Sequence, residues 1–170
     1  MLDDILNKIE ESDVLEPYEY SLLKRYLCFD ELTGLPNRRM FELDVGKALQ
    51  EHDRYGRVFC IAYIDVDNFK SINDMHGHYE GDCALRQLAS EMNANVRKSD
   101  RVYRLHGDEF SLLMPETDIK TGDMVCDRLT QKLSYKVSYG CIDCTISEDY
   151  DILIYSADAR MYEKKHLARE

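Results

Sequence analysis

The apolar residues of this chain follow two rhythms. Leu22, Leu23, Tyr26 and Leu27 recur at helical spacing after Pro17, a residue suited to the first turn of a helix. Residues 1–29 are thus expected to form a helical segment too small to be a domain. Gly34 and Pro36 mark a turn over 30–39, and Phe41, Val45, Ala48 and Leu49 predict a helix over 36–52. The rhythm then changes. Residues 58–66 are apolar nearly throughout, which predicts a central strand covered on both faces. A polar loop is expected over 68–82. Leu85, Leu88, Ala89, Met92 and Val96 share one stripe of a helix over 80–98, closed by Arg97 and Asp100. Two short runs, 101–103 and 111–114, read as strands, with a tight polar tip at 106–109. Thr117 and Asp118 open a helix to about 133, 135–145 reads as a strand, and 150–168 as a last helix. The expected fold is one sheet with helices packed against it.

Composition narrows the possibilities. A chain of 170 residues with 44% hydrophobic residues can bury a core as one ordinary domain. No apolar run approaches the roughly 18 residues of a membrane span. The opening Met1-Leu2-Asp3-Asp4 is acidic where a signal peptide is basic, so a cytoplasmic location with no membrane contact is expected. The net charge of −11 argues against a general nucleic-acid binder. It leaves room for a nucleotide held through a divalent cation, which supplies the missing positive charge. Of the six cysteines, Cys60 falls in an apolar strand and Cys83 and Cys126 in helical patterns, so they read as core thiols. Cys141 and Cys144 form a lone CxxC with no second pair, which reads as structural.

The candidate chemistry is acidic. Asp65 and Asp67 close the central strand, and a carboxylate at the rim of a buried strand must be solvated, paired or bound to metal. Asp108 and Glu109 stand side by side at the hairpin tip, where they repel each other unless a cation or donor intervenes. Oxygen ligands of this kind suit Mg²⁺. In the loop, Lys70, Asn73 and Asp82 suit a phosphate, a purine edge and a base N–H respectively. His76 and His78 read as loop packing, and Lys164, Lys165 and Arg169 as cations placed against a helix dipole.

Five stretches together resemble the GGDEF family of diguanylate cyclases over residues 30–170. They are Asp30…Leu32-Thr33-Gly34-Leu35-Pro36-Asn37-Arg38-Arg39, Asp65-Val66-Asp67-Asn68-Phe69-Lys70-Ser71-Ile72-Asn73-Asp74, and Gly77-His78…Gly81-Asp82. The others are Arg104-Leu105-His106-Gly107-Asp108-Glu109-Phe110 and Ala157-Asp158…Met161-Tyr162…Lys165. The order and gaps make the set specific where any single stretch is weak. The resemblance implies an α/β (α+β), nucleotidyl-cyclase-like fold, with a mainly antiparallel sheet of about five strands wrapped by helices. It implies condensation of two GTP into cyclic di-GMP with pyrophosphate release, by two facing copies of the domain. By position, Asp65, Asp108 and the Val66 carbonyl would hold Mg²⁺ or Mn²⁺. Glu109 would bind metal or assist deprotonation of the 3′-hydroxyl. Asn73 and Asp82 would read the guanine, with His106 and Gly107 against the nucleotide. Lys70, Lys165 and Arg169 would hold the triphosphate. Arg97 and Asp100 match an RxxD product-inhibition site. A sensor domain or partner protein is the usual controller.

The chain departs from the family at His106, where the signature has its first glycine. An imidazole there has three options: to crowd the ribose or α-phosphate, to point away, or to donate to phosphate. The alternative to an enzyme is a weak or inactive module that binds GTP or cyclic di-GMP and signals to a partner.

Overall fold

The computed structural model describes residues 2–12, 14–147 and 149–167. Its core is built on β1 (Phe59–Val66), the apolar run, which is buried at every position but Asp65. β2 (Arg101–His106) and β3 (Glu109–Pro115) form the predicted hairpin, and β4 (Val137–Asp143) flanks β1 on the other side. The order is β2-β3-β1-β4, and every neighbouring pair is antiparallel. The described residues form a sheet of four strands, one fewer than the family resemblance suggested.

The described residues also form seven helices: α1 (Leu2–Glu11), α2 (Pro17–Cys28), α3 (Arg38–Tyr55), α4 (Phe69–His76), α5 (His78–Asn95), α6 (Ile119–Thr130) and α7 (Tyr150–Leu167). The leading segment consists of two helices, the second opening at Pro17 as its sequence suggests. Side-chain caps explain two other starts. Asn37 accepts from the Met40 N–H at 3.2 Å, and Asp118 from the Thr121 N–H at 2.7 Å. The loop expected over 68–82 proves to be mostly helix, with α4 and α5 meeting at Gly77. His76 and His78 accordingly sit on helix ends, both exposed, rather than in a loop.

Alternation along β1 sorts the core into two layers. Cys60, Ala62, Ile64 and Val66 pack with Leu85, Leu88 and Met92 of α5 and Val125, Cys126 and Leu129 of α6. Phe59, Ile61 and Tyr63 pack with Phe41 and Val45 of α3 and Leu153, Ala157 and Met161 of α7. Cys60, Cys126, Cys141 and Cys144 are buried, whereas Cys83 is half-exposed and not a core thiol. At Gly140 of β4 the backbone of α7 comes so close that a Cβ would lie 2.2 Å from the Ala157 carbonyl oxygen. That contact sets the height of α7 over the sheet, and α7 carries Lys165.

Candidate functional site

The site begins with strand register. β1 and β3 pair so that Asp65 stands opposite Glu109, and the Val66 N–H donates to the Asp108 carbonyl at 3.2 Å. The rim aspartate and the acidic hairpin tip, 43 residues apart in sequence, are therefore neighbours. Opposed residues of an antiparallel pair share a face, and two like charges there are unfavourable. Each carboxylate has its own compensation. Lys165 of α7 bonds Asp65 and lies 3.8 Å from Asp67. The Tyr63 hydroxyl bonds Oε2 of Glu109, and His106 Nε2 lies 3.0 Å from that same oxygen. Burial, and after it the Glu109 carboxylate, push the Tyr63 hydroxyl well above the usual phenol range, so it remains a donor. The departure from glycine at His106 thus turns toward Glu109.

The hairpin tip is anchored by a residue the sequence reading did not single out. Arg104 donates from Nε and Nη2 to the Gly107 carbonyl at 3.0 and 2.7 Å, and from Nη1 to Asp30 Oδ1 at 2.9 Å. Its backbone N–H reaches the Pro36 carbonyl at 2.9 Å. Asp30 Oδ1 also accepts from the Thr33 N–H at 2.9 Å and the Thr33 hydroxyl at 2.6 Å. Burial alone would raise the Asp30 carboxyl, but the bonds from Thr33 and Arg104 outweigh it and hold it below its ordinary value. The 30–39 turn is therefore a socket for Arg104, and Arg104 fixes the turn that presents Asp108. The available signal was Arg104 itself, two residues before the tip in a strand that also opens on Arg101.

The remaining candidates lie on α4, α5 and beyond. Lys70 is exposed, while Asn73 and Asp82 are half-buried. Asn73 lies across Gly81, where a Cβ would meet its Oδ1 at 2.0 Å. Gly81 thus admits Asn73 next to Asp82. The RxxD pair is not a side-chain ion pair: Asp100, 8% exposed, accepts from the Arg97 backbone N–H at 3.1 Å and leaves that guanidinium exposed. Lys164 bonds Asp123 at 2.9 Å, so it and Lys165 serve ion pairs rather than a helix dipole. Arg169 lies outside the described residues.

Among the described residues, no three His, Cys, Asp or Glu side chains form a group suited to a metal ion. A hard cation of the Mg²⁺ type needs only one or two carboxylates when phosphates and water complete its shell. Asp65, Asp108 and the Val66 carbonyl would supply oxygens of that kind, and in the structure the Lys165 ammonium bonds Asp65. A separate cleft of about 730 Å³ lies between α2 and the 30–34 turn, lined by Leu22, Arg25, Tyr26 and Phe29. It does not touch the acidic rim. No helix among the described residues is long and apolar enough to cross a membrane.

Comparison with known proteins finds similar chains. The family model described as diguanylate cyclase, GGDEF domain, matches residues 27–170. The bifunctional diguanylate cyclase/cyclic di-GMP phosphodiesterase MucR of Pseudomonas aeruginosa is 33% identical over 152 residues, covering 82% of this chain and 22% of MucR. The curated relatives are longer, and the chain spans about half their length or less. Among solved structures, diguanylate cyclase SiaD of Pseudomonas aeruginosa, in complex with its activator SiaC, has TM-score 0.80 at 29% identity. It is matched over 97% of this chain and 66% of that one. The coiled coil and GGDEF domain of DgcB from Caulobacter crescentus, in complex with c-di-GMP, shares the fold with TM-score 0.83 at 24% identity. That match covers 97% of this chain and 92% of the other.

Proposed function

This chain belongs to the GGDEF family of diguanylate cyclases, and from that premise we propose that it condenses two GTP into cyclic di-GMP and releases pyrophosphate. Two facing copies each hold one GTP, and the 3′-hydroxyl of one attacks the α-phosphate of the other. Asp65, Asp108 and the Val66 carbonyl hold Mg²⁺ or Mn²⁺, with Glu109 beside them. When bound, the metal neutralises charge on the phosphates and polarises the centre under attack. The chain's own groups position the reactants and complement developing charge, the larger part of such catalysis. Lys70, Lys165 and Arg169 grip the triphosphate. Asn73 and Asp82 read the guanine, whose N1–H and N2–H both suit a carboxylate, an option adenine lacks. Arg97 and Asp100 bind the product and restrain turnover. Residues 1–29 precede the catalytic domain at 30–170 and connect it to a regulator, a sensor domain or a separate partner protein.

The observation that supports this reading most directly is the pairing of Asp65 with Glu109 and of Val66 with Asp108, which unites the two acidic motifs. Incubation with GTP and Mg²⁺, followed by nucleotide chromatography, tests it. Cyclic di-GMP should form with the wild type and not with Asp65→Ala or Asp108→Ala. Turnover retained by either variant removes the metal assignment. One observation favours the alternative of a non-catalytic GTP or cyclic di-GMP binding module: His106 occupies an oxygen of Glu109. If the wild type binds GTP without making product and His106→Gly gains activity, that side chain is the block.

A further inference from the structure

Two side chains, Tyr63 and His106, meet Glu109 at one of its oxygens. The Tyr63 ring lies in the layer between the sheet and helices α3 and α7, packed with Ile61, Phe41 and Met161, and the residue is 9% exposed. Strand alternation places Tyr63 and Asp65 on one face of β1, and Asp65 is opposite Glu109. The Tyr63 hydroxyl is thus one diagonal step from Glu109 and donates to its Oε2. His106 reaches the same oxygen from the loop side at 3.0 Å. A carboxylate oxygen only accepts, so the Tyr63 hydroxyl is the donor, and the His106 imidazole stands within ion-pair distance of the same oxygen. Two polar groups converge on one oxygen, from a rigid strand below and from the hairpin above.

We infer that Tyr63 is a positioning residue for the proposed site: its buried hydroxyl, with His106 as the second arm of a clamp, holds Oε2 of Glu109 and turns Oε1 to the cation. The inference rests on the metal reading given above and adds the group that orients one of its ligands. The clamp also gives the departure at His106 a purpose. A glycine there leaves Glu109 oriented by Tyr63 alone, whereas the imidazole closes the other side. Metal ligands are held this way by partners beyond the ligand shell, and loss of such a partner costs on the order of 10–100-fold in metal affinity.

Tyr63→Phe deletes only the hydroxyl and keeps the ring in its layer. The test is titration of Mn²⁺ alone, without nucleotide, followed by the electron paramagnetic resonance signal of the free ion. Tyr63→Phe should bind Mn²⁺ roughly tenfold more weakly than the wild type. His106→Gly should lose less by itself and more when Tyr63 is also Phe. In a Glu109→Gln background, Tyr63→Phe should change Mn²⁺ affinity no further, because the group it orients is gone. Thermal melting checks that each variant is folded. Equal Mn²⁺ affinity in wild type and Tyr63→Phe overturns the inference, as does an undiminished loss in the Glu109→Gln background. A wild type that binds Mn²⁺ yet forms no cyclic product sinks the enzymatic reading and leaves the clamp standing. A wild type that binds no Mn²⁺ without nucleotide overturns the clamp and leaves the enzymatic reading to the GTP incubation.

Discussion

Arg104→Met removes the guanidinium that ties the hairpin tip to the 30–39 turn while keeping most of the side-chain volume. Three bonds disappear, two to the Gly107 carbonyl and one to Asp30. Bonds from charged groups contribute about 1.5–3 kcal/mol each when well formed. The two that share the Gly107 oxygen count for little more than one. The Arg104 side chain is 11% exposed and that of Asp30 24%, so water compensates only in part. Asp30 also retains both Thr33 donors. The expected loss is about 2–4 kcal/mol, against a stability of about 5–15 kcal/mol for an ordinary domain. The variant therefore folds, but with a lower urea midpoint. The pH dependence carries a distinct signature. The Asp30 carboxyl is held below its ordinary 3.8 in the native state, so its stabilisation is complete above that value and fades as pH falls through the lower native one. Without Arg104 the carboxyl moves up, since burial then meets less opposition. The gap between wild type and variant should accordingly be widest near neutrality and narrow below about pH 4. Urea unfolding followed by circular dichroism from pH 7 to pH 3 measures both effects. An unchanged midpoint at pH 7, or a gap constant with pH, refutes the view that Arg104 and Asp30 form an ionic anchor.

Three further outcomes are expected. Gly140→Ala places a Cβ 2.2 Å from the Ala157 carbonyl oxygen and 2.3 Å from the Met161 nitrogen. Both are backbone atoms, so α7 must shift; thermal melting should show a loss of about 1–3 kcal/mol or more, with GTP binding weakened as Lys165 moves. Asn37→Ala removes the cap of α3 and a bond to the Leu27 carbonyl at 2.9 Å. A loss of about 1–2 kcal/mol in chemical denaturation is expected, and none would deny Asn37 its capping role. Arg97→Ala should leave the urea midpoint unchanged and weaken cyclic di-GMP binding in calorimetry, because its guanidinium is exposed. Asp100→Ala should lower the midpoint as well, because its carboxylate holds the 97–100 turn. The reverse pattern would assign Arg97 to structure and Asp100 to the ligand.

Much of this protein is legible in its sequence, where local physics suffices. The run at 58–66 has nowhere to go but the centre of a sheet, and β1 is buried on both faces. Asp118 announces its helix because a cap acts within three residues. α4 was missed for the same reason in reverse. It has eight residues, no buried side chain, no side-chain cap and a left-handed Asn68 at its start, and an apolar face of Phe69, Ile72 and Met75 spans barely two turns. The acidic motifs could be recognised by their order along the chain, but their partners could not. Lys165 meets Asp65 across 100 residues, Arg104 meets Asp30 across 74, and Tyr63 meets Glu109 across 46. Periodicity says which face of an element is apolar. It does not say which strand lies alongside or in what register, and here a one-residue slip of β3 against β1 would turn Glu109 to the opposite face from Tyr63. Only the packed sheet settles which donor each carboxylate meets, because that choice depends on distances between elements that the chain itself leaves free.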